Sequence, residues 1–388
     1  MAIRKQALAC EAFTRLKAAY DGRKQVLSQW KRSGRGVVCI AGYDVPEEII
    51  LAAGMLPFRV TGYYGGERPS ADKYLEYSFG AIWKGLWESI AEDYAGLMDY
   101  LVFCSSSDMF LKLFYYFRTL RRLEPERKLP ELKYLDFELV EHVFKTQERN
   151  ERELRDLIEC VEGWSGRKIT PEDLREAISL CNEYRDALTA FSALRGPGER
   201  RVTGSEALVV IGGSMFMEKR EAIEAVHAVT QAARDWEKAE GVSAYYIGSP
   251  QETTEVYELA EANGLNIVGE DHDMGARMFD ARVRETIEPV SALAERLLKR
   301  MPSSEKGSIS ARVKAVGDKL AETEAEGLLT FMNNNDEAYV WDYPSIRKNV
   351  LIPRGIPSAT VQKQTWPLTE PEALAAQFRD FAATVKGG

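Results

Sequence analysis

The chain has 388 residues, of which 45% are hydrophobic and 29% are charged, a composition typical of globular proteins and a length suited to about two or three domains. The formal net charge of -9 gives no general attraction to nucleic acid or anionic lipid, so we expect neither as a partner. No apolar run reaches the roughly 18 residues that span a membrane. Five cysteines without close CxxC spacing indicate reduced thiols, and the N-terminus lacks the apolar core of a secretory signal. These features predict a cytoplasmic protein.

An arm and a strand–helix unit are predicted at the start of the chain. Apolar residues at helical spacing in residues 4–32 predict an N-terminal helical arm, which we bound at residues 1–35. The apolar, β-branched run Gly36–Gly42 is typical of a strand, and Asp44 is predicted to cap the helix that follows it. Gly54 suits the position that ends this helix. The pattern is therefore strand, turn, helix.

Two more strands are predicted in the first half. Residues 56–62 have the composition of a second strand, and Asp99–Phe103 that of a third, which places Cys104 at its carboxyl end. Residues 105–108 supply candidate caps for a long, apolar helix that extends to Arg122. The segment at about 137–194 has few strand signals and is predicted to be helical, with Thr170 as an N-cap.

A second alternating series follows a linker-like break at 195–204. It is predicted to begin with a strand at ALVVIGG, residues 207–213. Further strands are predicted at 243–248, 265–269, 327–332 and 356–361, with helices between them. Alternating strands and helices favour parallel, doubly wound sheets.

The predicted fold class is α/β. It consists of two doubly wound, flavodoxin-like parallel-sheet domains around a cleft, with the N-terminal helical arm and the helical middle segment added. We place the first domain at 36–195, including the helical segment, and the second at 196–388. Ligands in such sheets bind outside the carboxyl ends of the strands, so site residues are sought there.

Cys104 is a candidate reactive or metal-binding thiol. It lies where a strand meets a helix N-terminus, and the helix dipole and free amide groups at such a place lower a thiol pKa. The alternative is structural, because free cysteines are commonly small buried apolar residues. Position alone leaves both interpretations open.

The loop GEDHDMG, residues 269–275, is a second candidate site. Glu270, Asp271, His272 and Asp273 follow a strand and supply oxygen and imidazole donors for a metal or for acid–base chemistry. Consecutive residues rarely face one centre, so a solvated loop or a helix cap is the alternative.

Polar residues also follow a later strand. The segment 332–344, MNNNDEAYVWDYP, carries amides, carboxylates and aromatic rings that suit a cleft wall, although such clusters are also common in turns. No G-x-x-x-x-G-K-[ST] loop and no convincing G-x-G-x-x-G is present, so nucleotide hydrolysis by this chain is disfavoured.

Residues 43–59, YDVPEEIILAAGMLPFR, resemble the PEELI.AAGMLP signature of the 2-hydroxyacyl-CoA dehydratase and benzoyl-CoA reductase (D-component) family. Later segments are similar to that family in the same order, over about residues 30–385: LVFC, GEDHDMGARMFD, NNNDEAYVWDYPSIRK and GIPSATVQ. The resemblance implies two α/β domains around an iron–sulfur cluster. It also implies a related subunit as heterodimer partner, and an ATP-dependent iron–sulfur activator protein that delivers an electron.

The family binds a [4Fe-4S] cluster through three cysteines, one from each of three loops, and thiolates are the ligands such clusters require. The resemblance carries Cys104 across as the cysteine of the second loop. Gly80 stands where the first cysteine is expected, and Asn335 or Asp336 stands where the third is expected. Two of the three expected cluster ligands are therefore absent.

The function implied is that of a subunit of a 2-hydroxyacyl-CoA dehydratase or benzoyl-CoA reductase type complex. Such a complex acts on an acyl-CoA thioester by single-electron, ketyl radical chemistry. Residues expected to shape the substrate cleft are Asp271, Arg277, Asn333, Asn334, Asn335 and Asp336. The missing cysteines motivate a second hypothesis, a non-catalytic structural paralogue that pairs with a cluster-bearing subunit. A third is a two-lobed small-molecule binding protein.

Overall fold

The computed structural model describes residues 3–62, 66–138, 145–336 and 338–387. The strands are β1 Val37–Ala41, β2 Leu56–Arg59, β3 Tyr100–Cys104, β4 Glu131–Leu135, β5 Val242–Gly248, β6 Leu265–Asp271, β7 Gly327–Asn333 and β8 Ser358–Gln364. The first helices are α1 Lys5–Leu8, α2 Glu11–Asp21, α3 Arg23–Arg32, α4 Glu47–Ala52, α5 Pro69–Tyr74, α6 Ala81–Glu88, α7 Asp108–Leu123, α8 Thr146–Ser165 and α9 Pro171–Ser192. They are followed by α10 Gly204–Ser214, α11 Lys219–Ala233, α12 Glu255–Ala262, α13 Pro289–Lys299, α14 Ile309–Thr323, α15 Ala338–Ile346, α16 Ile352–Arg354 and α17 Pro371–Gly387.

The strands form two four-stranded sheets. The first has the order β2-β1-β3-β4 and the second the order β6-β5-β7-β8, and all pairs are parallel. Parallel strands require crossover connections, which helices supply on the sheet faces. The predicted α/β class with two flavodoxin-like parallel sheets is confirmed. The domain boundary at residues 195 and 196 stays a prediction.

The prediction of a strand at residues 207–213 is wrong. These residues lie in α10, in which every residue from Gly204 to Ser214 is buried. Thr203 caps this helix, because its hydroxyl accepts a hydrogen bond from the Glu206 amide while the Glu206 carboxylate accepts one from the Thr203 amide. A helix buried on all sides is apolar on all sides, so its sequence has no helical period and resembles a buried strand.

Two local predictions in the first half also differ from the structure. Asp44 does not cap α4, because the N-cap residue of this helix is Pro46. The Asp44 carboxylate instead accepts a 2.8 Å hydrogen bond from Arg300. The strand β4, ELKYL, was not predicted, because only Leu135 of its five residues is fully buried and its polar residues hide the strand pattern.

Several helix signals are confirmed. Thr170 and Asp173 form a reciprocal capping box at the start of α9, and Gly54 ends α4 with a φ of +75°. The predicted arm consists of α1, α2 and α3. Part of the predicted middle segment, residues 139–144, lies outside the described residues.

The arm joins the rest of the chain where α2 crosses α10. A Cβ atom added at Gly213 would lie 2.2 Å from the carbonyl oxygen of Leu16, so the two backbones meet without space for a side chain. We expect Gly213→Ala to reduce the free energy of unfolding by about 2–3 kcal/mol, since the helices must separate. Chemical denaturation measures this. Gly163→Ala in α8, where a Cβ meets nothing within 4 Å, is the matched control and should stabilise by about 0.5–1 kcal/mol. Equal effects of the two substitutions would contradict the close crossing.

In the part of the chain that the structure describes, no helix is both long and apolar enough to cross a membrane.

Candidate functional site

A cleft of about 940 Å³ lies where loops from both sheets meet. Residues after β1, β2 and β3 form one side, and residues after β5, β6 and β7 form the other. In each sheet the chain changes direction between two central strands, β1 and β3 or β5 and β7. Open parallel sheets bind ligands at such switch points, outside the carboxyl ends of the strands. Both sheets therefore contribute their expected binding edge to one cleft.

The cleft brings together two of the positions where the resemblance expects cysteines. A Cβ atom added at Gly80 would lie 3.6 Å from the Cβ of Asn335 and 3.2 Å from the carbonyl oxygen of Asn334. Gly80 is the N-cap residue of α6, and Asn335 follows β7 with a φ of +64°. The loops are thus adjacent, although neither carries a thiol.

Cys104 does not line the cleft. The residue is fully buried at the end of β3, and its Sγ lies 2.9 Å from the Ser106 hydroxyl. A Cβ atom added at Gly42 would be only 2.5 Å from that sulfur, so the thiol fills a narrow core space. Burial, and then the Asp44 carboxylate, raise the pKa of Cys104 to about 11. The expected lowering of its pKa by the helix is wrong, because burial of a thiolate outweighs the dipole of α7.

Ser106 and Ser107 are the residues of this loop that do line the cleft. Among the described residues no cysteine lines it, and no three His, Cys, Asp or Glu side chains are placed to hold a metal ion. Iron–sulfur clusters are held mainly by thiolates. The donors at this cleft are hydroxyl, amide and carboxylate groups and the imidazole of His272, so they do not fit a [4Fe-4S] cluster, which needs thiolates.

Asp271 has a supporting position. It is the last residue of β6, is almost completely buried, and forms ion pairs with Arg312 and, at 2.6 Å, with Arg277. These arginines hold its pKa below the usual range against the effect of burial. Arg277 lines the cleft but Asp271 does not. We therefore assign Asp271 to positioning Arg277, whose guanidinium also donates to the carbonyls of Met301 and Pro302.

The predicted segment Asn333–Asp336 lines the cleft throughout. The Ser249 hydroxyl, after β5, holds this segment in place. The hydroxyl donates to the Asp336 carboxylate at 2.5 Å and accepts from the Asn333 backbone amide at 2.9 Å. The Asn334 amide donates to the carbonyl of Gln364 at 2.8 Å. The loop is therefore held by hydrogen bonds to both neighbouring strand ends.

Asp336 should make stability depend on pH. Burial raises the pKa of Asp336 to about 6, so the folded chain binds a proton there that the unfolded chain releases above about pH 4. Its ionisation therefore removes stability as pH rises from about 4 to above 6. We expect Asp336→Asn to leave stability unchanged near pH 4 and to raise it by about 1–2 kcal/mol at pH 7.5, with allowance for solvent screening. Thermal unfolding across this range measures the difference.

The exposed Asp318, which pairs with Lys314 at 2.6 Å, provides the control substitution for this experiment. A stability gain for Asp336→Asn that is the same at both pH values would rule out the assigned titration.

Three groups in the cleft wall or directly behind it were not recognised as site residues from the sequence. Arg59 at the end of β2 donates to Asp273 at 2.6 Å, which links the first sheet to the loop after β6. Tyr43 lies beneath the guanidinium of Arg277, 5.7 Å from it. Arg312 reaches Asp271 from α14. Their partners lie far away in the sequence, so no local motif could have indicated them.

The four polar residues of the acidic-His loop, residues 270–273, lie in two different environments. Glu270 and Asp271 belong to the strand β6, which is two residues longer than predicted, and Glu270 is held by the buried Arg195. His272 and Asp273 line the cleft. Neighbouring residues of an extended strand face opposite sides, which explains why the four groups do not converge.

Comparisons with known proteins agree with this architecture. The family model described as 2-hydroxyglutaryl-CoA dehydratase, D-component, matches residues 43–379. The (R)-phenyllactyl-CoA dehydratase beta subunit of Clostridium sporogenes is 24% identical over 349 residues, which cover 88% of this chain and 89% of that protein. The (R)-2-hydroxyglutaryl-CoA dehydratase subunit beta of Acidaminococcus fermentans is 23% identical over 340 residues, which cover 84% of this chain and 86% of that protein. The resemblance seen at residues 43–59 is confirmed, and the chain belongs to the 2-hydroxyglutaryl-CoA dehydratase D-component family.

Proposed function

We propose that this chain is a subunit of a 2-hydroxyacyl-CoA dehydratase or benzoyl-CoA reductase type complex that helps to enclose an acyl-CoA thioester without holding an iron–sulfur cluster itself. A related subunit would bear the [4Fe-4S] cluster on which single-electron chemistry at the thioester depends. An ATP-dependent activator protein would serve that subunit. The expected location of the complex is the cytoplasm.

The observation that carries this proposal is the composition of the cleft wall. At the three loops where the family pattern expects cysteines, the residues that line the cleft include Gly80, the Ser106–Ser107 pair and the Asn335–Asp336 pair. The one thiol in these segments, Cys104, is buried, with a pKa raised to about 11. A protonated thiol in the core is a poor ligand for iron. The cleft nevertheless combines apolar side chains with several polar and charged groups, which favours ligand binding over a purely structural role.

Two of the relatives are named as beta subunits of dehydratases, which supports a partner subunit for this chain. The proposal thus combines two hypotheses from the sequence, since the chain takes part in an acyl-CoA enzyme and the cluster ligands come from its partner.

Iron and acid-labile sulfide measured after strictly anaerobic purification test the proposal. We expect neither in the chain alone, and both in its complex with a related, cluster-bearing subunit. Cys104→Ser should leave the iron content and the activity of the complex unchanged, because its sulfur contributes only packing. Isothermal titration with an acyl-CoA should show binding to the complex.

Two results would contradict the proposal. One is iron and sulfide in the isolated chain that disappear in Cys104→Ser, because this would identify Cys104 as a ligand. The other is a complex that binds no acyl-CoA.

A further inference from the structure

Two buried nitrogen atoms in the cleft wall have no hydrogen-bond partner among the described residues. They are Nδ1 of His272 and Nδ2 of Asn333. The side chains belong to residues that are 1% and 7% exposed, and both line the cleft. A buried polar group without a partner destabilises the fold, so such groups in a cleft indicate a ligand that satisfies them.

The strand order brings these two nitrogens to the same edge of the second sheet. His272 directly follows β6 and Asn333 ends β7, and the two strands flank β5. Between them β5 ends at Gly248, where a Cβ atom would lie 1.9 Å from the carbonyl oxygen of Phe331. The backbones of β5 and β7 therefore meet at this point without space for a side chain.

The hydrogen-bond partner of His272 determines which ring nitrogen carries the proton. Nε2 lies 3.0 Å from the hydroxyl of Tyr257, a fully buried residue. Within the described chain this hydroxyl has no other acceptor, so its proton is satisfied only by donation to Nε2. Nε2 is then an acceptor and Nδ1 carries the hydrogen. Burial also lowers the pKa of His272, which keeps the ring neutral.

Asn333 is held in place through its backbone. Its amide nitrogen donates to the Ser249 hydroxyl at 2.9 Å, and the same hydroxyl is fixed by Asp336. The backbone from which the Asn333 side chain extends is therefore fixed, and the side-chain amide has two hydrogens to donate. His272 and Asn333 thus present N–H groups from the ends of β6 and β7, on either side of β5.

The charged groups around these donors disfavour an anionic ligand, because the carboxyl groups of Glu305 and Asp336 also line the cleft. Glu270 pairs with Arg195, Asp271 with Arg277 and Arg312, and Asp273 with Arg59. A carboxylate or phosphate placed here would find carboxylates close by whose arginines are already engaged. Two neutral donors in such surroundings suit an uncharged oxygen acceptor.

We propose that His272 Nδ1–H and Asn333 Nδ2–H together bind the carbonyl oxygen of an acyl thioester. This inference rests on the proposed function, because it takes the acyl-CoA as the occupant of the cleft. It adds a specific pair of binding residues and a specific tautomer, and it makes Tyr257 the positioning residue that maintains the tautomer.

The tautomer can be read directly by ¹⁵N NMR of the imidazole rings. The chain has three histidines, so His272→Phe assigns the His272 signals by their loss. We expect the Nδ1–H form of the neutral ring at pH 7.5, because burial lowers the pKa of His272. Tyr257→Phe keeps the ring but removes the donor, and should introduce the Nε2–H form. An Nε2–H tautomer in the unmodified chain would overturn the inference, whatever the chain binds.

The ligand contact is tested by comparing butyryl-CoA with its thioether S-butyl-CoA, which lacks only the carbonyl oxygen. We expect the full complex to bind the thioester about tenfold more tightly, as two hydrogen bonds suggest. His272→Phe should reduce this preference to about twofold or less. Tyr257→Phe, which should fold even if His272→Phe does not, should reduce it in part. His227→Phe, at an exposed histidine of α11, should preserve it.

The outcomes separate the two proposals. Equal binding of the thioester and the thioether by the unmodified complex overturns this inference and leaves the proposed function standing. Binding of neither compound overturns both.

Discussion

Replacing Arg312 by methionine should reduce the free energy of unfolding by about 3–5 kcal/mol, the range expected when one partner is removed from a buried ion pair. Arg312 is completely buried on α14, and its guanidinium contacts Asp271 of β6 and, at 3.0 Å, Asp342 of α15. The substitution leaves two buried carboxylates without this guanidinium. A desolvated carboxylate without a compensating charge destabilises the folded state. Denaturation with urea, followed by circular dichroism, measures the loss.

The loss in free energy of unfolding should come from the buried carboxylates that no longer contact Arg312, and not from lost packing. The double variant Arg312→Met/Asp342→Asn should therefore recover about 1–2 kcal/mol of the free energy of unfolding, because it removes one of the two carboxylates that contact Arg312. Lys314→Met, two residues further along α14, changes an exposed lysine and should have an effect below about 0.5 kcal/mol. A loss below 1 kcal/mol for Arg312→Met would show that water reaches this site.

A disulfide across the cleft should form in the double variant Gly80→Cys/Asn335→Cys. The two Cβ positions are 3.6 Å apart, within the range that disulfides require. The bond would close a loop of about 250 residues, for which chain entropy predicts about 5 kcal/mol of stabilisation. Part of this is offset because a cysteine at 80 sits 3.2 Å from the Asn334 carbonyl and Asn335 has a φ of +64°. We expect a net gain of about 3 kcal/mol.

Unfolding of the oxidised and reduced forms of this variant measures the gain, and peptide mapping identifies the bond. The single variants Gly80→Cys and Asn335→Cys control for reactions of the native cysteines, of which Cys10 and Cys160 are half-buried. Failure to form the bond under mild oxidation would mean that the two loops are further apart than the structure places them. A bond that forms without stabilising the chain would instead indicate strain at one of the two positions.

The fold was largely predictable because strands and caps depend on local chemistry. The run at 37–41 and the Thr170–Asp173 capping box carry their structure within a few residues. The errors occur where burial removes the pattern. In α10 every position is buried, so the apolar face that identifies a helix is missing. In β4 the reverse holds, since exposed polar positions interrupt the strand pattern.

The candidate site was less predictable because it depends on side-chain direction. Both Cys104 and Ser107 lie near the end of β3, but only Ser107 faces the cleft. Asp271 and His272 are neighbours, and one is covered by arginines while the other lines the cleft. The segment Asn333–Asp336 lies in the cleft wall, because residues after a central strand of a parallel sheet reach the binding edge in any case. Its role in substrate binding stays a prediction. The pairing of Arg59 with Asp273 needs the three-dimensional structure.

The two sheets have the same strand order, with the second strand at one edge followed by the first, third and fourth. Each half of the chain is thus a topological repeat of the other, and the arrangement corresponds to a dimer whose two subunits have been fused into one polypeptide. In a true homodimer each substitution appears twice, once on each side of the interface. In a fused pair the two sides change independently. One wall of this cleft therefore carries glycine and serine while the other carries imidazole and amide groups, a combination that a symmetric pair of subunits could not present to one ligand.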